Sequence, residues 1–233
     1  MPVRKKDTEI TELFKDRYEA GRLLAAKLEH LADKDEVTVL ALPRGGVPVA
    51  FEIARHLRAP MDVFTVRKLG VPGYEELAMG AIAPGEIMVI NEDVVRHLGI
   101  SRSVLDFVAA GERKELYRRD RLYRGERPPP QMADRTIVLV DDGLATGSTM
   151  LAAISAVRQQ RPARIVVAVP VAPPATHQEI KHKADEVISL LQPEPFDGVG
   201  RWYLDFSQTT DDEVRRLLEI SNQREFDSNK AFA

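Results

Sequence analysis

The chain has 233 residues, of which 44% are hydrophobic and 30% are charged, so it is long enough for one large domain with a proper core. Its formal net charge of −3 argues against a general nucleic-acid binder, because such proteins are usually basic. The absence of cysteine excludes disulfides, thiolate nucleophiles and cysteine-ligated metals, and it fits a cytoplasmic location. No apolar run of about 18 residues occurs, so we expect no membrane-spanning helix.

The spacing of apolar residues predicts helices and strands that alternate along the chain. Helices are expected at 11–32, from residue 46 onward, and at 101–123, 148–161 and 174–183. Short continuous apolar runs predict buried strands at 37–42, 61–66, 136–140, 164–172 and 186–191. A glycine- and proline-containing loop is expected at 67–80, with short strands on both sides of a turn at Pro84-Gly85. Strands that alternate with helices predict a parallel sheet covered on both faces.

Residues 137–149 read IVLVDDGLATGST, an apolar strand that runs into two carboxylates and a loop of small residues. Gly143 and Gly147 allow a ligand to approach the backbone closely, and the start of the next helix adds N–H donors for an anion. Asp141 and Asp142 would repel phosphate, but they can accept hydrogen bonds from sugar hydroxyls or hold a divalent cation. The segment therefore predicts a ligand such as ribose 5-phosphate. The alternative is an ordinary capped turn.

The sequence VLVDDGLATGST resembles the 5-phosphoribosyl-1-pyrophosphate (PRPP) motif of the type I phosphoribosyltransferases. This resemblance implies an α/β fold, with a Rossmann-like parallel-sheet core, a small hood and a flexible lid loop. It also implies that Asp141 and Asp142 bind the ribose hydroxyls. The implied ligands of the 5-phosphate are Gly143, Leu144, Ala145, Thr146, Gly147, Ser148 and Thr149. The 6-oxopurine enzymes of this family have an aspartate base where this chain has Ala145, so hypoxanthine and guanine are placed in question as acceptors.

Two further segments resemble parts of the same family. ALPRGGVPVA resembles its pyrophosphate loop, in which a cis peptide is expected between Pro43 and Arg44. RKLGVPGYEELAMGA resembles its flexible loop, most closely that of the adenine phosphoribosyltransferases. The implied pyrophosphate ligands are Arg44, Gly45, Gly46, Arg67 and Lys68. Either Glu75 or Glu76 could exchange a proton with the base, or both could face solvent. The catalytic set that we predict is Asp141, Asp142, Glu76 and Arg67.

The segment PEPFDGVGRWYLDFS is similar, more loosely, to the hood of the 6-oxopurine enzymes, with one extra residue after Phe196. The similarity implies that Phe196 or Trp202 stacks on a flat acceptor base. It also implies that Asp205, together with Asp141, holds Mg²⁺, mainly through PRPP and water. We predict that Phe206 is a core residue.

These features predict a Mg²⁺-dependent phosphoribosyltransferase that transfers the 5-phosphoribosyl group from PRPP to a purine or pyrimidine-like base and releases pyrophosphate. Two alternatives stay open, a non-catalytic PRPP sensor and transfer to a nucleophile other than a base. We expect an N-terminal helix at 1–35 that packs on the core or hood, a core at 36–192 with a lid loop at 67–84, and a hood segment, helix and tail at 193–233. The resemblance also implies a homodimer. From the net charge and the lack of a long apolar run, we expect neither nucleic acid nor membrane as a partner.

Overall fold

The computed structural model describes residues 13–231, except for the side chains of Glu76 and of residues 224–231. The strands are β1 Val37–Ala41, β2 Met61–Val63, β3 Arg67–Val71, β4 Tyr74–Ala83, β5 Ile87–Ile90, β6 Thr136–Val140, β7 Arg164–Val171 and β8 Glu186–Leu191. The helices are α1 Arg17–Lys27, α2 Gly46–Leu57, α3 Glu92–His97, α4 Arg102–Arg124, α5 Ser148–Gln159, α6 Pro174–Lys181 and α7 Asp211–Ala231. Short 3₁₀ helices lie at Glu29–Leu31 and Val199–Trp202.

A parallel sheet forms the centre of the fold, with its strands in the order β2-β1-β6-β7-β8. Every residue of β1 and β6 is buried, as expected for strands that are covered on both faces. The predicted α/β class is therefore confirmed. Because β1 and β6 are parallel neighbours, the loops that follow them leave the sheet side by side at its carboxyl edge.

The sheet separates two apolar cores, since successive residues of a strand point to opposite faces. Val37 and Val39 of β1 pack in the core that includes residues of α1, α2 and α7. Leu40 joins the opposite core, together with Ile137 and Leu139 of β6 and the apolar face of α5. A one-residue slip of β1 against β6 would exchange the side chains of β1 between the two cores.

Residues 67–80, for which the sequence predicted an irregular loop, form β-structure instead. β3 and β4 pair as a hairpin, and β5 completes a three-stranded antiparallel sheet. Leu69 and Met79 are buried in a third core, which this small sheet shares with α4. The glycines that suggested a loop belong to the hairpin itself: Gly70 lies at an irregularity in the pairing, and Gly73, with a φ of +82°, forms the turn.

The N-terminal segment connects the core with residues 193–207, the segment that the sequence predicted as the hood. The helix predicted at 11–32 is shorter in the structure, because Asp16 caps α1 by accepting the N–H of Glu19 at 2.8 Å. Residues 1–12 of the predicted N-terminal unit lie outside the described residues. Before the cap, Phe14 pairs with Tyr203 of the hood in a parallel bridge, and their ring centroids lie 5.4 Å apart.

Helix α7 packs against α2 and closes the first core. Val214, Leu217 and Leu218 supply its buried apolar side chains. Two tyrosines bond to its first turn, since the hydroxyl of Tyr18 donates to Glu213 at 2.7 Å and that of Tyr123 donates to Asp211 at 2.6 Å. Within residues 13–231, neither α7 nor any other helix has the length and apolar character needed to cross a membrane.

Candidate active site

The loops that follow β1 and β6 pack directly against each other at the carboxyl edge of the parallel sheet. A Cβ atom on Gly46 would lie 2.6 Å from the carbonyl oxygen of Val140, and one on Gly45 would lie 2.0 Å from Oδ2 of Asp142. Glycine is required at position 46, where the close atoms are backbone, whereas a side chain at position 45 would displace the carboxylate of Asp142. The peptide bond between Pro43 and Arg44 is cis, as predicted. The structure thus brings the predicted pyrophosphate loop into contact with the predicted ribose-binding carboxylates.

Asp141 and Asp142 share one environment at the end of β6. The N–H of Asp142 donates to Oδ1 of Asp141 at 2.9 Å, and the Tyr203 hydroxyl donates to the carbonyl oxygen of Asp142 at 2.6 Å. Burial and the charge of Asp142 raise the pKa of Asp141 well above its usual value of 3.8. Burial also raises the pKa of Asp142, against the lowering effect of Arg17. The paired charges are costly here, and a hydroxyl donor or a cation would stabilise them.

Arg17 of α1 is a site residue that the sequence analysis missed. Its Nε and Nη2 atoms lie 2.8 Å and 2.7 Å from Oδ2 of Asp142, and Nη1 donates to the carbonyl oxygen of Ser207 at 2.7 Å. Its guanidinium carbon lies 3.9 Å from the centre of the Phe206 ring. The two hydrogen-bonding partners lie 125 and 190 residues further along the chain, so no local pattern could have marked Arg17.

A cleft of about 320 Å³ opens beside Asp142. It is lined by Arg17, Arg44, Gly45, Asp142, Phe206, Gln208 and Thr209. The prediction that Phe206 is a core residue is wrong, because 37% of this residue is exposed. Its ring instead supports the guanidinium of Arg17 through a cation–π contact. Arg44, on the opposite loop, has its Nη1 atom 3.7 Å from Oδ1 of Asp211.

The loop after the two aspartates leads into the N-terminus of α5. Gly147, with a φ of +71°, precedes the helix, and a Cβ atom there would lie 2.8 Å from Cγ2 of Thr176. Thr176 donates its hydroxyl to the carbonyl oxygen of Ala145 at 2.7 Å, and the hydroxyls of Thr146 and Ser148 lie 3.0 Å apart. The loop is therefore held in shape by its own neighbours. The first N–H groups of α5 lack helical partners and suit an anion.

The remaining residues of this loop differ in what they can offer a ligand. Leu144 is buried in the second core and donates its N–H to the carbonyl oxygen of Val171 at 2.9 Å, so it has a structural role. A Cβ atom on Gly143 would lie 2.5 Å from Cγ1 of Val199, which shows how closely the hood approaches the loop. Thr149, in the first turn of α5, is exposed.

The hairpin residues lie in a sheet and not in an open loop. Arg67 begins β3, and its Nε and Nη2 atoms lie 2.6 Å and 2.5 Å from Oε2 of Glu112 on α4. Lys68 follows Arg67 in β3. The carboxylate of Glu75 accepts the backbone N–H of Gly73 at 3.1 Å. Glu76 lies in β4, but its side chain is outside the described residues. Arg67 would have to leave Glu112 to reach a substrate.

The two aromatic candidates for base binding lie in the hood. Phe196 is half-buried and follows a cis peptide between Glu194 and Pro195. Trp202 packs against the small apolar cluster around Phe14, and its indole Nε1 is buried with no partner among the described residues. A buried indole N–H normally finds an acceptor, so Trp202 has an unmet hydrogen-bonding requirement.

The acidic residues suit a metal that is shared with a substrate. No three acidic or histidine side chains come together as a metal centre in the part of the chain that the structure describes. Asp205 is exposed, and its Oδ1 atom accepts the N–H of Ser207 at 2.9 Å, which lowers the pKa of Asp205. Mg²⁺ usually takes only one or two carboxylates and completes its shell with waters and substrate phosphates. Asp141 at the end of β6 and the exposed Asp205 are the two carboxylates that the sequence predicted for such a site.

Comparison with known proteins identifies the family in which this arrangement of glycine loops and carboxylates occurs. The sequence profile of the phosphoribosyl transferase domain matches residues 9–201. The chain belongs to the phosphoribosyltransferase family. Both loops at the carboxyl edge of the sheet fall within the matched range. The family resemblance that the motif after β6 indicated is therefore confirmed.

Individual relatives agree with this assignment. Two proteins of Mycobacterium tuberculosis, from strains CDC 1551 and H37Rv, are provisionally named phosphoribosyl transferases, and each is 46% identical to this chain over 212 residues. The alignment covers 91% of this chain but 48% of each relative, so the chain spans about half the length of the curated relatives it matches. The crystal structure of TT1426 from Thermus thermophilus is 45% identical, with a TM-score of 0.82, over 88% of this chain and 97% of that one.

The raised pKa of Asp141 leads to a prediction about stability. Because its folded-state pKa lies above the unfolded value near 3.8, the protein should lose stability as the pH rises through the folded-state pKa. Asp141→Asn cannot ionise, so its advantage in the free energy of unfolding should be absent near about pH 4 and grow toward about pH 8. Urea unfolding across this range would measure the difference. Asp106→Asn on the surface of α4 is the control, and a less stable Asp141→Asn protein at about pH 8 would contradict the prediction.

Proposed function

We propose that this phosphoribosyltransferase transfers the 5-phosphoribosyl group of PRPP to a ring nitrogen of a purine or pyrimidine-like base and releases pyrophosphate. The observation that carries the proposal is the contact between Gly45 and Asp142, where a Cβ atom would lie 2.0 Å from the carboxylate. This contact joins a glycine loop suited to an anion with carboxylates suited to hydroxyl groups. PRPP presents both kinds of group on a single ribose ring.

The ribose 5-phosphate end would be held at two points. In this proposal Asp141 and Asp142 accept hydrogen bonds from the 2- and 3-hydroxyls. The first N–H groups of α5 and the hydroxyls of Thr146, Ser148 and Thr149 bind the 5-phosphate. Two attachments would fix the orientation of the ring toward the incoming base, which removes much of the entropic cost of the reaction.

The leaving group requires positive charge, because pyrophosphate gains negative charge as the C1–O bond breaks. Arg44 and the backbone N–H groups of Gly45 and Gly46 would supply it. Arg67 and Lys68 would add to it once the β3–β4 hairpin moves toward the substrate and Arg67 exchanges its carboxylate partner on α4 for pyrophosphate. Such closure would also exclude water, which competes with the base for C1.

Mg²⁺ is the cofactor that we propose, held by Asp205 and Asp141 mainly through PRPP oxygens and water. When bound, the ion would neutralise part of the charge on pyrophosphate. The ionised carboxylates near the ribose would stabilise the positive charge that develops on the ring. Glu76 is our candidate to take the proton from the base, since the carboxylate of Glu75 is already bonded to the hairpin turn.

The acceptor base is proposed to stack on Phe196 or Trp202 of the hood. If Phe196 provides the stacking surface, Phe196→Ala should raise the KM for the base about fivefold or more, because base–aromatic stacking contributes about 1–3 kcal/mol. The dissociation constant for PRPP should stay unchanged. Phe107→Ala on α4 is the control, since Phe107 is 81% exposed on another element. An unchanged KM in Phe196→Ala would show that Phe196 is not the surface on which the base stacks.

The function is tested by measuring pyrophosphate release from PRPP and Mg²⁺ with a panel of purine and pyrimidine bases. Release that depends on one base would establish the transfer and identify the acceptor. If calorimetry detects PRPP binding but no base supports release, the protein is a sensor or uses a nucleophile other than a base. If PRPP does not bind at all, the proposed function is wrong.

A homodimer and a cytoplasmic location remain predictions. The resemblance to the family implies the dimer. Light scattering coupled to gel filtration should give a mass about twice that of the 26.1 kDa chain.

A further inference from the structure

We propose that Arg17 binds the pyrophosphate end of PRPP, as a second arginine beside Arg44 that comes from α1 and not from the motif-bearing loops. The inference rests on the proposed function, since it assigns a further residue to the same site. It also gives the N-terminal helix a direct role in binding the substrate.

The hydrogen bonds of Arg17 leave part of its guanidinium available. Arginine has five N–H donors and no acceptor. The Nε donor and one on Nη2 face Oδ2 of Asp142, and one on Nη1 is bonded to the carbonyl oxygen of Ser207. Two N–H donors therefore have no acceptor among the residues that the structure describes. Only 10% of the side chain is exposed, so bulk water can reach little of it. Donors in such a position are normally matched by an acceptor.

The surroundings of these donors favour an anion. Arg17 and Arg44 line the same cleft. Although Asp142 and Asp211 pair with them, the two guanidinium groups present N–H donors from α1 and from the loop after β1. Phe206 covers one face of the Arg17 guanidinium at 3.9 Å and holds its plane. With that face covered and one edge bonded to Asp142, a ligand in the cleft can meet the remaining N–H groups. A phosphate group accepts such N–H pairs from arginine in a bidentate geometry.

The cleft also contains the glycine loop to which the proposed function assigns the pyrophosphate. Gly45 lines it, and Gly45 touches the same carboxylate that Arg17 holds. Arg17 can therefore bind pyrophosphate while it keeps Asp142 in place for the ribose. One guanidinium would then link the two ends of the substrate site. A lysine could not make both sets of bonds, since its donors radiate from a single nitrogen.

The test is calorimetric titration with inorganic pyrophosphate in the presence of Mg²⁺, which needs no acceptor base. Arg17→Met and Arg17→Lys should each raise the pyrophosphate dissociation constant about tenfold or more, as expected when hydrogen bonds between charged groups are lost. Arg22→Met is the matched control, because Arg22 lies in the same helix but is half-exposed and paired with Glu52. Its pyrophosphate affinity should equal that of the wild type.

Asp142→Asn separates direct binding from a structural role. If Arg17 binds pyrophosphate, this variant should bind it at least as tightly as the wild type, because a negative charge is removed while the guanidinium remains. If Arg17 only positions Asp142, Arg17→Lys, which keeps the positive charge, should leave pyrophosphate affinity unchanged, which would overturn the inference. Equal weakening in Arg17→Met and Asp142→Asn would also overturn it, because that result indicates a general distortion of the site.

Arg17→Met leaves Asp142 without its partner and could fail to fold. The double variant Arg17→Met/Asp142→Asn removes both charges, and it should show the same weak binding of pyrophosphate as Arg17→Met. Wild-type titrations separate the two proposals. Binding of PRPP and pyrophosphate with no effect of Arg17 would overturn this inference alone, whereas no binding of either ligand would overturn the proposed function as well.

Discussion

Asp142→Asn should raise the dissociation constant for PRPP about tenfold to a hundredfold and lower kcat/KM by about a hundredfold or more. The carboxylate is expected to accept a hydrogen bond from a ribose hydroxyl and to stabilise positive charge on the ring as the bond to pyrophosphate breaks. The amide keeps the shape of the side chain, and its oxygen can still accept from Arg17. Calorimetry with PRPP gives the affinity, and pyrophosphate release with the acceptor base gives the turnover.

The control for this experiment is Asp106→Asn, because Asp106 is a surface carboxylate paired with Arg102 on α4. Its PRPP affinity and turnover should match those of the wild type. Unfolding curves should show that Asp142→Asn remains folded. Wild-type PRPP affinity in a folded Asp142→Asn protein would remove the aspartate pair from the site and with it the main support for the proposed function.

Gly46→Ala should have the largest effect on stability among the single substitutions considered. The added Cβ atom would lie 2.6 Å from the carbonyl oxygen of Val140 and 2.9 Å from the Cα atom of Asp141. Both are backbone atoms at the end of the central strand, so neither can move without displacing β6. Overpacking of this kind costs about 1–3 kcal/mol, which should lower the Tm by several degrees in a domain of this size. Differential scanning calorimetry measures both the Tm and the change in the free energy of unfolding.

Gly111→Ala is the matched control, and we expect it to raise the stability rather than lower it. Gly111 lies within α4, and a Cβ atom there would have nothing within 4 Å. Alanine favours a helix over glycine by about 0.5–1 kcal/mol, so this variant should be slightly more stable than the wild type. If Gly46→Ala were as stable as Gly111→Ala, the close packing of the two loops would be wrong.

The features that could be predicted from the sequence are those that act locally. Strands such as β1 and β6 are continuous apolar runs because both faces of the sheet are covered, and the loops after them carry the glycines and carboxylates in unbroken segments. The cis peptide between Pro43 and Arg44 followed from the resemblance of that loop to its family. These are also the features from which the family could be recognised.

The features that could not be predicted depend on contacts between distant parts of the chain. The hairpin of β3 and β4 was interpreted as a loop because glycine at a turn or at an irregularity in the pairing has the same local signature as glycine in an open loop. Arg17 and Phe206 meet only when the hood folds back over the N-terminal helix. The bond between Arg67 and Glu112 likewise joins two elements whose packing no local pattern indicates.

The bond from Arg17 to the carbonyl oxygen of Ser207 spans 190 residues and has a consequence for the order in which the molecule forms. A ribosome adds about 5–20 residues per second, so roughly 10–40 s separate the synthesis of Arg17 from that of Ser207. During that time the parallel sheet can assemble, but the cleft has no hood and Arg17 lacks this partner. The substrate site should therefore be completed only after the strands of the sheet have been synthesised, and a chain released before residue 207 would lack a complete cleft even if its sheet were folded.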